Sequence, residues 1–414
     1  MGASGSERTG AGRPDGGVSP GANGSASTPS GRALHPRLYR DPAVATAELE
    51  RIIERSWQLA GHVSRIAEPG TYMTTDVGRQ PVLVVRDAEG SLRAFRNVCR
   101  HRGSKVLSGS GACGKALRCR YHGWTYRLDG SLIGMSEVRS FANPDKRALG
   151  LLPAAIEEVC GLLFVNLDPR AEPLTPQLGD LPDRLARYRI PELRPFNPYD
   201  GHQPVNWKII VDNYLEGYHV PIAHPGLMRL LDYARYRPEV NPGYVWFEAP
   251  MRDRPSGDRM ERAYQRLVRP MPGLGPEDER VWRYIFIYPN TAIDLYPDQV
   301  MTWQINPDGV YRTHDVFMAY RAARPGLRTR LVQKLNSKVN WLVHREDMDL
   351  VANVQAGLET RDYACGPLSE REAGVAWFAD RVRADLGEVA SAIEGSDGAA
   401  DGAAPAATEV VAAR

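Results

Sequence analysis

The apolar positions change period along the chain. From Asp41 to Trp57 they recur at helical spacing (Ala45, Leu49, Ile52, Ile53), with Asp41 placed to cap and Pro42 in the first turn, which predicts an N-terminal helix over 39–56. Short strand-like runs follow: Pro81–Val85, the turn-rich Asp87–Gly90, Leu92–Val98, Thr125–Leu128 ending in the hairpin signal Asp129-Gly130, and Gly161–Leu167. They predict a small antiparallel β domain over 57–168. The proline-rich stretch 169–200 reads as a linker with one short helix. Strands return at Arg283–Tyr288, Thr291–Leu295, Val300–Ile305 and Tyr311–Tyr320, with the turn Asn306-Pro307-Asp308-Gly309 between the last two. Leu331, Leu335, Val339, Leu342 and Val343 then predict a helix from Leu327 to about Leu358. The fold class is therefore α+β, with a second domain over 169–387.

Composition adds the ends and narrows the partners. Residues 1–38 begin with Gly, Ser, Ala and Pro, and 388–414 are rich in Ala and Gly, so both are predicted to be disordered tails. Lys and Arg number 52 against 50 acidic residues, a net charge of +2, which argues against nucleic acid or an anionic membrane as partner. No apolar run is long enough to cross a bilayer, and the first residues lack a signal peptide's apolar core. Five cysteines, an odd and sparse set, point to a reducing cytoplasm rather than a disulfide framework. The glycosylation triplet Asn23-Gly24-Ser25 is set aside for the same reason.

Chemistry enters at Cys99-Arg100-His101 and Cys119-Arg120-Tyr121-His122, two arms separated by seventeen residues, each with one thiolate and one imidazole. Four such ligands mark a metal centre. Zinc is the first rival, but a single-residue spacer makes it hard for both ligands of one arm to reach one ion. It suits a Rieske [2Fe–2S] cluster, where two Cys hold one iron and two His the other. Gly109–Gly114 matches G-x-G-x-x-G but falls between the arms rather than between a strand and a helix, so it reads as a flexible loop. Without a nucleotide motif the chain needs a separate electron donor.

A second constellation follows Asn206-Trp207-Lys208. On a helix Asp212, Glu216 and His219 share one stripe, and Pro221 bends the chain so that His224 could converge with His219 on one ion. Far downstream, Asp347 shares a face with Val343, Val351 and Val354, where a carboxylate is costly unless it meets a cation. Glu346 and Asp349 lie off that stripe and read as solvated.

The runs Cys-Arg-His-Arg-Gly (99–103) and Cys-Arg-Tyr-His-Gly-Trp (119–124), the paired His219 and His224 behind an Asn-Trp-Lys lead-in, and an Asp ahead of Gln355-Ala356-Gly357-Leu358 resemble the catalytic α subunit of Rieske non-haem iron, ring-hydroxylating oxygenases. The resemblance covers about 39–385. It implies a Rieske domain followed by a helix-grip (START/SRPBCC-like) catalytic domain. Cys99, His101, Cys119 and His122 would hold the cluster, and His219, His224 and Asp347 a mononuclear Fe(II), with Asn213 beside it. Glu216 would bridge His219 to His122 of an adjacent subunit in a head-to-tail homotrimer. O2 is the implied cosubstrate, with NAD(P)H electrons arriving through a ferredoxin and/or flavin reductase. A small organic substrate would sit among Tyr214, Phe286, Tyr288, Tyr296 and Trp303. Monooxygenation, including oxidative dealkylation, is the first expectation and aromatic cis-dihydroxylation the second. Two other classes stay in view: a Rieske electron-transfer protein without oxygenase activity, and a zinc-dependent interaction module.

Overall fold

The computed structural model describes residues 31–395, so most of both predicted tails and the Asn23-Gly24-Ser25 triplet lie outside the described residues. Inside them the tail boundaries move outward. Leu34 and Leu38 are buried, as are Ala390 and Ile393 of the helix Glu388–Gly395, and all four belong to one core cluster. Composition hides this because a few large apolar side chains suffice to dock a segment otherwise made of small residues. The N-terminal helix runs from Pro42 to Glu48 and continues as a wider π turn to Ile53, with the Asp41 carboxylate accepting from Ala43 N at 2.9 Å.

The first domain is a seven-stranded antiparallel sheet in the order Gln58–His62, Leu162–Asn166, Pro153–Val159, Leu92–Arg96, Gln80–Arg86, Thr71–Val77, Ser110–Ala112. A three-stranded sheet of Leu117–Arg118, Thr125–Tyr126 and Leu132–Gly134 lies beside it, joined at the predicted Asp129-Gly130 turn. Part of the glycine-rich decoy is thus an edge strand, paired with Thr71–Met73, rather than a loop.

The second sheet also has seven strands, in the order Arg194–Gln203, Thr313–Arg321, Val300–Pro307, Thr291–Leu295, Val281–Ile287, Tyr244–Pro250, Pro238–Val240. Its first strand occupies the end of the predicted linker. Pro195 and Pro198 are tolerated there because an edge strand need not donate on both sides. The sheet wraps one long helix, Leu327–Leu358, with the bounds the sequence predicts. The face it buries matches the predicted one in part: Val339 is buried, and Leu335 and Val343 pack against the core. Leu331 and Leu342 are exposed, whereas Val332, Gln333, Asn336, Val339 and Val351 are buried. Amides on that face bond to the sheet turns: Gln333 Nε2 donates to Asp298 O at 3.0 Å, and Gln299 Nε2 donates to Asn336 Oδ1 at 2.7 Å. Among the described residues no helix is long and apolar enough to cross a membrane.

The two domains share a core in which Trp57, Leu59 and Phe164 pack with Ile285, Leu295 and Tyr320. Gln304 Nε2 donates across the junction to Leu59 O at 2.7 Å.

The Asn-Trp-Lys lead-in proves to be the anchor of the N-terminal helix. Asn206 caps the helix Trp207–Tyr214 and also donates to Tyr39 O at 2.8 Å. Trp207 Nε1 and Lys208 Nζ both meet the Glu48 carboxylate, at 2.9 and 2.5 Å, and the Lys208 and Glu48 side chains are 0% and 1% exposed. Such a buried pair barely offsets its own desolvation, but removing one member strands the other charge. Lys208→Met is therefore expected to cost about 3–5 kcal/mol in urea unfolding, and adding Glu48→Gln to restore much of it. A double variant no more stable than the single one would contradict this account.

Candidate functional site

Both arms of the first constellation have the same local geometry. Cys99 N donates to Ser104 O and Gly103 N returns to Cys99 O; Cys119 N donates to Trp124 O and Gly123 N returns to Cys119 O. Each loop closes through a glycine with left-handed backbone, φ +74° at Gly103 and +69° at Gly123, which a side chain would strain. The result buries both cysteines and turns the two imidazoles toward each other, with His101 Nδ1 and His122 Nδ1 3.1 Å apart. Tyr126 Oη accepts from Arg100 N at 3.0 Å and lies 3.3 Å from Cys99 Sγ, where its proton can be given to a thiolate. Burial pushes the Cys99 thiol up, and the Cys119 sulfur beside it acts in the same direction. Trp124 stacks on His101 at 4.9 Å and 9°.

The donor set tests zinc against a cluster. Among the described residues these four donors do not form a group converging on one point, as a single tetrahedral ion requires. Two sulfurs and two facing Nδ1 atoms instead fit a group with two separated irons.

The second constellation does converge. His219 Nε2 and His224 Nε2 are 3.1 Å apart, and Asp347 Oδ1 lies 3.5 and 2.9 Å from them. These three form the one such group among the described residues. Each imidazole's outer nitrogen is tied to a carboxylate: His219 Nδ1 to Glu216 Oε1, and His224 Nδ1 to Glu346 Oε2 at 2.8 Å. Carboxylates that accept at Nδ1 leave both Nε2 lone pairs aimed at one point. Two lone pairs facing each other beside an anionic oxygen are repulsive unless a cation sits between them, so the donors fit a metal ion. Burial disfavours charge on His224, but Asp347 and Glu346 outweigh it and raise its pKa. Asn213 Nδ2 donates to Asp347 Oδ1 at 2.9 Å.

The backbone that brings them together is not the single helical stripe read from the sequence. The helix stops at Tyr214; His219 and His224 cap the two ends of a separate turn, Val220–Ala223, that contains Pro221. Gly217 lies in the intervening bend, and a Cβ there would come within 2.4 Å of the Tyr236 ring. Asp212 turns away from the cluster of donors to accept from Tyr39 Oη at 2.6 Å, and burial pushes its carboxyl up to about 7. Glu346 is the residue sequence reasoning misplaced as solvated. The available signal was the need that an imidazole offered to a metal has for an outer partner, already met for His219 by Glu216 but not for His224.

His219, His224 and Asp347 open on a cavity of about 940 Å³, part of it open to solvent. Tyr214, Tyr296 and Trp303 line it as expected, joined by Tyr236, Tyr284 and Phe317. Phe286 and Tyr288 do not. Phe286 packs on Phe378 in the core, and Tyr288, at the strand's end, donates to Asp385 in a cleft between the domains. Three polar residues in the wall were not anticipated: Asp294, Asn340 and His344, whose Nε2 is buried without a hydrogen-bond partner among the described residues.

The chain matches the family models of the Rieske [2Fe-2S] domain, over residues 56–145, and of the ring hydroxylating alpha subunit (catalytic domain), over 190–388. It is 29% identical over 339 residues to the carnitine monooxygenase oxygenase subunit of Acinetobacter pittii, covering 79% of this chain and 85% of that one. It is 33% identical over 336 residues to the chloroplastic choline monooxygenase of Beta vulgaris, covering 79% and 71%. A solved quaternary ammonium Rieske monooxygenase, tied to carnitine oxidation and inter-subunit electron transfer, superposes with a TM-score of 0.74 at 27% identity over 86% of this chain and 95% of that one.

Proposed function

Since this chain belongs to the Rieske ring-hydroxylating oxygenase family, as the catalytic α subunit, we propose that His219, His224 and Asp347 hold its mononuclear iron and that it monooxygenates a small substrate bearing an alkylated ammonium group. The protein is an O2-dependent oxidoreductase with a Rieske [2Fe–2S] cluster, a mononuclear iron and a small organic substrate. One observation carries the proposal: two imidazole Nε2 atoms and one carboxylate oxygen meet within 4.8 Å at the wall of an aromatic cavity.

In this reading Cys99, Cys119, His101 and His122 hold the cluster. When bound, the two groups supply single-electron transfer and O2 activation. The chain's own residues do the rest. Glu216 and Glu346 hold the Nδ1 protons and so fix both imidazole planes, and Asn213 steadies Asp347. Aromatic and methionine side chains around the donors keep water out of the substrate's space. Glu216 faces a shallow groove on its other side, and Tyr218 and Ile222 beside it are 61% and 89% exposed. This surface suits the cluster tip of a neighbouring copy, where His122 and an exposed Tyr121 stand, so the assembly is proposed to be a homotrimer fed by a ferredoxin and/or flavin reductase.

The test is metal and sulfide analysis of anaerobically purified protein, followed by turnover under ¹⁸O2. About three irons and two sulfides per chain are expected, with one labelled oxygen atom in the product. Two labelled oxygens in a cis-diol would replace monooxygenation with dihydroxylation. A chain with two irons and no turnover would be an electron carrier.

A further inference from the structure

Asp294 sits in the middle of the strand Thr291–Leu295, opposite Tyr284 on one neighbouring strand and Met301 on the other, and all three side chains line the cavity beside the three donors. Only 6% of Asp294 is exposed. Its carboxylate accepts from Tyr214 Oη at 2.7 Å and stands 3.2 Å from Tyr296 Oη. Neither donor is fully its own. Tyr214 Oη is also 3.2 Å from Ile285 O, and Tyr296 Oη has one proton to share between Asp294 and Asn340 Oδ1 at 3.1 Å. Among the described residues no Lys, Arg or His pairs with this carboxylate, and burial pushes its pKa up to about 7.

Other buried acids in this sheet set the contrast. Asp298 accepts from Tyr264 Oη at 2.9 Å and Asp315 from Trp303 Nε1 at 3.0 Å, and neither lines the cavity. Their burial serves the fold. Asp294 instead faces open space, walled by the rings of Tyr214, Tyr236, Tyr284, Tyr296 and Trp303. Tyr236 and Tyr284 meet edge to face at 5.9 Å, and Tyr214 and Trp303 at 5.8 Å. Ring faces with a carboxylate among them attract an organic cation, and a weakly hydrated ammonium most of all. A neutral ring compound would fill the same box yet offer the carboxylate no counter-charge, so the acid must stay desolvated or take up a proton, and either way the attraction a cation gains is absent.

We infer that Asp294 is the specificity-determining residue of this pocket: its carboxylate, framed by the tyrosine and tryptophan rings, selects a substrate whose positive charge is on nitrogen. This rests on the oxygenase reading above for the identity of the pocket, but its test does not need turnover. Binding of choline and of its uncharged carbon isostere, 3,3-dimethylbutan-1-ol, is measured by calorimetry on the purified, iron-loaded full chain. The wild type is expected to bind choline about tenfold tighter or more. Asp294→Asn should bring the two affinities within about twofold of each other, while the burial-matched Asp298→Asn keeps the wild-type ratio. A wild type that prefers neither ligand, or an Asp294→Asn variant that keeps the preference, overturns the inference. If Asp294→Asn does not fold, Tyr214→Phe and Tyr296→Phe each strip one donor from the carboxylate, and a ratio unchanged in both overturns it equally. A missing third iron would instead sink the oxygenase reading. With iron and product formation intact, a ratio of one removes only the role of Asp294.

Discussion

Asp347→Ala is expected to yield a folded protein that keeps its visible cluster spectrum, loses the third iron and forms no product. Its side chain is 21% exposed, and among the described residues its hydrogen bonds and ion pairs go to Asn213 and the two imidazoles, so removing it opens no core cavity. What it removes is the one anionic donor. Loss of a partner outside the donor set already costs about 10- to 100-fold in metal affinity or activity, so loss of a donor should exceed about 100-fold. Iron analysis should fall from about three to about two per chain while acid-labile sulfide stays at about two. Asp349→Ala is the control: two residues further along the same helix and exposed, it should change nothing. Should Asp347→Ala retain three irons and normal turnover, the third donor has been assigned to the wrong side chain.

The choice between Asp347 and its neighbours shows what the sequence carries and where it stops. Helical periodicity found the helix from Leu327 to about Leu358, because Leu331, Leu335, Val339, Leu342 and Val343 recur at helical spacing. It found part of the inward face: Leu335, Val339 and Val343 pack against the core, but the polar Gln333, Asn336, Asn340 and His344 are turned inward too, and an apolar count scores them as exposed. The convergence of His101 with His122 and of His219 with His224 was legible because each half is local: each cysteine arm closes on itself within five residues, and His219 and His224 flank a single turn. The surroundings of Glu346 and Asp294 were not, since their partners lie far away in the chain. Asp294 accepts from Tyr214, eighty positions earlier. Nothing in the run Thr-Ala-Ile-Asp-Leu separates it from a polar residue on the outer face of a strand. Phe286 and Tyr288 failed as pocket residues for the converse reason. Aromatic character is a property of the residue, whereas pocket or core is decided by what the opposite element brings, here Phe378 and Asp385 of the helix Ala373–Leu386.

The second large effect is expected at Glu216, and it separates orientation from coupling. Glu216 and Glu346 have the same local task, each accepting the Nδ1 proton of one imidazole. Their surroundings differ. Glu346, on the long helix, does not line the groove, whereas Glu216 lies in the bend after Tyr214, where it also accepts from Tyr218 N and His219 N, lines the groove, and is close in the chain to exposed Tyr218 and Ile222. Replacing either with Gln keeps the shape and an accepting oxygen but removes the charge, so both should weaken iron binding, by about 10- to 100-fold at most. Only Glu216→Gln should go further. With iron resupplied to saturation and the cluster reduced, its reoxidation by O2 in the presence of substrate is expected to slow about 100-fold, while Glu346→Gln at the same iron content reoxidises as the wild type does. Stopped-flow absorbance of the cluster reads this directly, and titration with dithionite checks that both variants still accept electrons. Equal rates in the two variants would mean that Glu216 only orients His219. A slow Glu216→Gln beside a normal Glu346→Gln requires a path that leaves the subunit through this one carboxylate, which steadying an imidazole cannot provide.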